Sequence, residues 1–94
     1  MYKLAFEPAG FRLFKKLPPV IKEQLIHSAK SLIVSPLKGE QLKGRYRNMR
    51  SLHLSINGVA YRIIYQVQAK TETIIIRLAD KRENIYKRLE HMEG

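Results

Sequence analysis

Cysteine is absent from this 94-residue chain, which rules out disulfides and thiolate chemistry and leaves a small apolar core as the source of stability. A reducing cytoplasm is the expected location. Long apolar runs are absent too: the hydrophobic 45% of residues falls in short stretches, so neither a membrane span nor wholesale disorder is expected. The opening MYKLAFEPAGF is interrupted by charge at once and does not read as a secretory signal. No Walker loop, dinucleotide fingerprint or nucleophile elbow occurs, and no cofactor is expected. The histidines His27, His53 and His91 lie on three separate predicted elements without ligand spacing, so no metal site is expected. Acidic residues are scarce, 8 against 18 Lys and Arg, for a net charge of +10. A field of that size draws polyanions and acidic proteins and raises encounter rates at low salt. It also keeps a small protein dissolved, so only the placement of the charges separates a nucleic-acid surface from mere solubility.

What is present fits one compact domain over residues 1–94, which at this length buries roughly 60% of the surface its unfolded form exposes. YKLAF at 2–6 suits a short strand, and Glu7-Pro8 starts a helix whose stripe is Leu13, Phe14 and Leu17. Pro18-Pro19 ends it. A second helix follows on Ile21, Leu25, Ala29 and Leu32 and stops at Ser35-Pro36. The stretch from Pro36 to Gly44 reads as a surface connection. Period-two alternation then begins: Arg50, Leu52 and Leu54, a turn at Asn57-Gly58, then Tyr61, Ile63, Tyr65 and Val67 form a hairpin. TIIIRLA from Thr73 to Ala79 reads as a buried strand, and Asn84 to Met92 as a short final helix packing Ile85 and Leu89 inward. The expected class is α+β: an N-terminal strand, a helical hairpin, a three-to-four-stranded antiparallel-rich sheet and a short C-terminal helix, with the helices mainly on one sheet face and the other face open.

Alternation sends Arg62 to the open face beside Ile64 and Gln66, as either a phosphate ligand or an ordinary solvated arginine. The segment KGRYRNMR brings Lys43, Arg45, Arg47 and Arg50 around Tyr46 with no acidic residue. Arginine forks grip phosphate, and a tyrosine ring stacks on an unpaired base for about 1–3 kcal/mol, so this stretch reads as an RNA track in preference to a solvated loop. In DKRENIYKR, Lys81, Arg82 and Tyr86 meet the edge of the open face if the last helix turns back over the sheet. Otherwise Tyr86 is a core aromatic and the two cations are capping-region charges. An inventory of Arg, Lys, Tyr and His suits RNA cleavage, where the substrate's own 2′-hydroxyl attacks and the protein moves protons and stabilises the phosphate.

YRIIYQV at Tyr61 to Val67, preceded by a basic strand and followed by an apolar strand and DKRENIY at Asp80 to Tyr86, resembles the RelE branch of the RelE/ParE toxin superfamily. The likeness runs from the opening strand through LKG at Leu42 to Gly44 to the last helix. It implies a RelE-like, microbial-RNase-like domain acting as the toxin of a type II toxin–antitoxin system. Such a toxin is a ribosome-dependent, metal-independent endoribonuclease that cuts messenger RNA by 2′-hydroxyl attack. By position, Arg62 resembles the phosphate-stabilising arginine, Arg82 the arginine that helps protonate the leaving oxygen, and Tyr86 the tyrosine proposed to take the 2′-hydroxyl proton. An unperturbed tyrosine is a poor base at neutral pH, so that role requires nearby cations such as Lys81, Arg82 and Arg62. RelE carries two lysines on the strand before the YR strand; here that strand reads Arg50, Ser51, Leu52, His53, Leu54. His53 either replaces them as acid or base or is a half-exposed strand histidine. The implied partners are an acidic RelB-like antitoxin, the ribosome and messenger RNA. ParE-like members share the fold and inhibit DNA gyrase without cutting RNA, and a third reading is a toxin-fold protein that only binds its antitoxin.

Overall fold

A computed structural model describes residues 1–93. Strand β1 (Lys3–Phe6) leads into helix α1 (Pro8–Phe14), which opens on proline, where a missing N–H costs nothing and φ is preset. Helix α2 (Pro19–Val34) opens the same way and buries Leu25, Ala29 and Leu32 on one stripe. After a two-residue strand β2 (Glu40–Gln41) and a 3₁₀ turn (Gly44–Tyr46) come β3 (Arg50–Ile56), β4 (Val59–Gln68), β5 (Thr73–Lys81) and helix α3 (Arg82–Glu93). Asn57 and Gly58 close the β3–β4 hairpin at φ of 51° and 79°, the two left-handed positions that a type I′ turn requires.

The class is α+β, and the sheet has five strands in the order β1-β5-β4-β3-β2. The fifth, β2, lies inside the stretch read as a plain connection, because two residues carry no periodicity to detect. β1 runs parallel to β5, and every other pairing is antiparallel. One core lies between the sheet and the α1–α2 hairpin and contains Phe14, Leu25, Leu32, Leu52, Tyr61, Ile63, Tyr65, Ile74 and Ile76.

The opposite face is not open, which corrects the expectation drawn from alternation. Helix α3 starts two residues earlier than its pattern suggests and folds back over this face, where Ile85 and Leu89 are buried against Ile64, Leu78, Met49 and Leu42. Ile64 does share Arg62's side of β4, yet it is fully buried there. The physical reason is the apolar stripe of α3, which needs a partner surface, and the Ile64–Leu78 pair supplies one.

Strand β5 changes side partway along. Ile74 and Ile76 face α1 and α2, but Ile64 pairs with Leu78 while Tyr65 pairs with Ile76, so Arg77 is an extra residue. This bulge flips the alternation, sending Leu78 to the α3 face and Ala79 to the hairpin core. Arg77 is held there by an ion pair with Glu7 and a 3.3 Å hydrogen bond from Nη1 to Gln66 Oε1.

Candidate functional site

Strand register assembles a row of polar residues across the α3 face. His53 on β3 lies directly opposite Arg62 on β4, and Arg62 lies directly opposite Asp80 on β5. Cross-strand partners share a face with their Cβ atoms about 5 Å apart, so the three side chains leave the sheet side by side. His53 is exposed and Arg62 half-buried. Among the described residues, the Arg62 side chain has no hydrogen-bond or ion-pair partner.

Asp80 is the row's buried member, with 8% of its side chain exposed. One oxygen, Oδ1, accepts the Lys81 amide at 2.7 Å, and the other, Oδ2, lies 2.6 Å from Nε of Arg88 on α3. Neither Asp80 nor Arg88 stands out in the sequence. Their meeting depends on the bulge at Arg77 and on α3 folding back, and no spacing between residues 80 and 88 signals either event.

Arg82 and Tyr86 sit one turn apart on α3, on the flank away from Arg88. Tyr86 is 45% exposed and is not a core aromatic. Its ring centroid lies 6.5 Å from that of Tyr46 in the 3₁₀ turn, at 45°, and the Arg45 guanidinium lies 5.0 Å over the Tyr46 ring. A cation and two aromatic rings thus line one border of the face, a geometry suited to stacking an unpaired base. Lys43 and Arg47 flank this group and are exposed.

Two expected members of the cationic surface are directed elsewhere. Arg50 pairs with Tyr65 on the helical-hairpin side, where its Nη1 donates to the carbonyls of Gly39 at 2.6 Å and Leu37 at 3.3 Å. Its guanidinium secures the α2–β2 connection instead of facing the Arg62 row. Lys81 pairs with Tyr61 and so shares that residue's side of the sheet, opposite to Arg62. Tyr65 completes the support of the connection: its hydroxyl donates to Pro36 O and accepts from Gly39 N, both at 2.8 Å. Burial raises the Tyr65 phenol pKa, against smaller lowering effects of the Gly39 amide and Arg50.

The residues form two groups on this face: the His53–Arg62–Asp80 row, with Arg88 held on its buried member, and Arg45, Tyr46 and Tyr86 along the border. No helix among the described residues is long and apolar enough to cross a membrane.

Residues 4–90 match the family model described as ParE-like toxin of type II bacterial toxin–antitoxin system. A chain in the crystal structure of a RelBE-type toxin–antitoxin complex from Mycobacterium tuberculosis is 28% identical, with a TM-score of 0.72 over 86% of this chain and 98% of that one. The isolated E. coli RelE toxin superposes over 100% of both chains with a TM-score of 0.71 at 21% identity. A chain of the intact E. coli RelBE toxin–antitoxin complex does so with a TM-score of 0.71 at 22% identity, covering 86% of this chain and 96% of that one. Comparison with curated protein sequences gives no match. With nearly the whole chain matched, the protein belongs to the ParE-like toxin family of type II bacterial toxin–antitoxin systems.

Proposed function

We propose that the protein is a ribosome-dependent endoribonuclease that cleaves messenger RNA by attack of a 2′-hydroxyl on the adjacent phosphate, and that an acidic antitoxin silences it. The observation that carries this reading is Arg62: a half-buried arginine without a protein partner among the described residues, beside His53 on the sheet face over which α3, the helix bearing Arg82 and Tyr86, folds back. A fork of donors held by a rigid strand suits a phosphate whose charge grows in the transition state. Tyr86, reacting as its phenolate, takes the 2′-hydroxyl proton as that oxygen bonds to phosphorus. Arg82, one turn away, is the supporting cation because Lys81 faces the other side of the sheet, and Arg82 also assists the departing 5′-oxygen. His53 occupies the edge of the row where a second proton carrier or phosphate ligand is needed. Arg45 and Tyr46 stack on a neighbouring base, and Lys43 and Arg47 contact the RNA backbone. A metal is not required for this chemistry, because arginine supplies the positive charge.

The structural relatives include toxin chains bound to antitoxins, and a net charge of +10 is complementary to an acidic partner. Primer-extension mapping of messenger RNA after induction, wild type beside Arg62→Ala, tests the nuclease. Mapped cuts in translated messages are expected for wild type, falling about 100- to 1,000-fold in Arg62→Ala, the scale of losing one preorganised donor. DNA-damage signalling with intact messages would instead mark gyrase inhibition and overturn the nuclease.

A further inference from the structure

Asp80 poses an electrostatic problem for the site just described. It is a buried carboxylate directly across the sheet from Arg62, and a carboxylate about 5 Å from an arginine at Cβ is well placed to take that arginine as its own ion-pair partner. An Arg62 held in that way has no fork to offer a phosphate. Yet the Asp80 oxygens are both occupied by other groups, Oδ1 by the Lys81 amide and Oδ2 by Arg88 Nε at 2.6 Å.

We propose that Arg88 is a positioning residue that sequesters Asp80 and so keeps Arg62 available for the RNA phosphate. Arg88 is suited to this because it is anchored by neighbours. Leu89 beside it is fully buried, which fixes the helix over the sheet, while Arg88 itself remains 40% exposed and its arm reaches back toward the start of α3. The ion pair thereby does two things: it neutralises a buried carboxylate that would otherwise repel phosphate, and it denies Arg62 a competing partner. Arg88 does not contact the substrate in this scheme; it acts through Asp80 on Arg62.

The inference rests on Arg62 as the phosphate ligand, so the test reads binding separately from cleavage. The probe is a short 2′-O-methyl RNA oligonucleotide, which lacks the attacking hydroxyl and is bound without being cut. Arg88→Gln releases Asp80 to capture Arg62 and is expected to weaken binding about tenfold or more, the scale of losing one charged hydrogen bond. Adding Arg88→Gln to Arg62→Ala then causes little further loss. Adding Asp80→Asn to Arg88→Gln restores binding toward the wild-type value. A purely structural role for the ion pair predicts the reverse, with additive losses and no rescue by Asp80→Asn, and either result overturns the proposal. Where Arg88→Gln does not fold, Arg88→Lys carries the same comparison: it keeps a cation but not the fork, and a partial loss removed by Asp80→Asn is expected. Circular dichroism melting of each variant separates folding from binding. A wild type that binds the probe but cuts no message on ribosomes refutes the nuclease and leaves the binding cycle to decide the role of Arg88.

Discussion

Tyr65 illustrates how much one residue contributes away from the chemistry. Its hydroxyl satisfies the Pro36 carbonyl and the Gly39 amide at once, in a position closed to solvent. Tyr65→Phe leaves both backbone groups without that partner and is expected to cost about 1–3 kcal/mol, measured by denaturant unfolding. The same residue sets a pH dependence. Burial favours the neutral phenol and lifts its pKa above the ordinary value of 10.0, so the native state holds the proton more tightly than the unfolded chain. That contribution is present in full below the unfolded value and is lost as pH rises through the native one. Wild type should therefore lose stability more steeply above pH 10 than Tyr65→Phe does, as read from melting temperatures across that range. Parallel alkaline slopes for the two proteins would remove this assignment. The sequence placed Tyr65 in the core by alternation, but its hydrogen bonds depend on a connection that passes over it, 26 to 29 residues away along the chain.

Among the elements, α1 and β5 decide the site's geometry together. Where β1 ends, Gly10 of α1 rests against the bulge: a Cβ there would lie 2.1 Å from the carbonyl oxygen of Arg77. Backbone on both sides leaves no flexible group to yield. Gly10→Ala is expected to destabilise the protein by about 1–3 kcal/mol, equivalent to about 4–8 °C per kcal/mol in the melting temperature of a domain this size, measured by thermal unfolding. An unchanged melting temperature would show that α1 can shift off the bulge freely. The bulge itself explains why Asp80 escaped sequence reading. Strict alternation puts residue 80 on the side of Ile74 and Ile76, and only the extra Arg77 turns it toward Arg62. Arg62 needed no such correction because β4 alternates without interruption from Tyr61 to Val67, and its side was legible from the residues alone.

At the scale of the molecule, the charge is divided by the fold. Arg50 and Lys81 are turned from the Arg62 row, while Lys43, Arg45 and Arg47 remain exposed around the 3₁₀ turn. Replacing those three by glutamine should weaken the proposed antitoxin complex, by titration calorimetry, and make the salt dependence of oligonucleotide binding shallower by about 2 in the log–log slope, at about 0.7 per phosphate contact on a single strand. Unchanged affinity for both partners would place the electrostatic interface elsewhere, with the lysines of the helical hairpin as the next surface to neutralise.

Period and punctuation along the chain determined the α+β class, the helical hairpin, the β3–β4 turn and the side on which Arg62 emerges, because those properties depend on residues two to four positions apart. Family resemblance, carried by short contiguous phrases, was legible for the same reason. Tertiary structure alone decided that α3 closes over the second sheet face, that Arg50 turns from the Lys43–Arg47 stretch to hold two carbonyls, and that Asp80 stands between Arg62 and Arg88. Each of these outcomes depends on register or on the folding back of a distant element, and a one-residue bulge is enough to reverse which side a side chain takes.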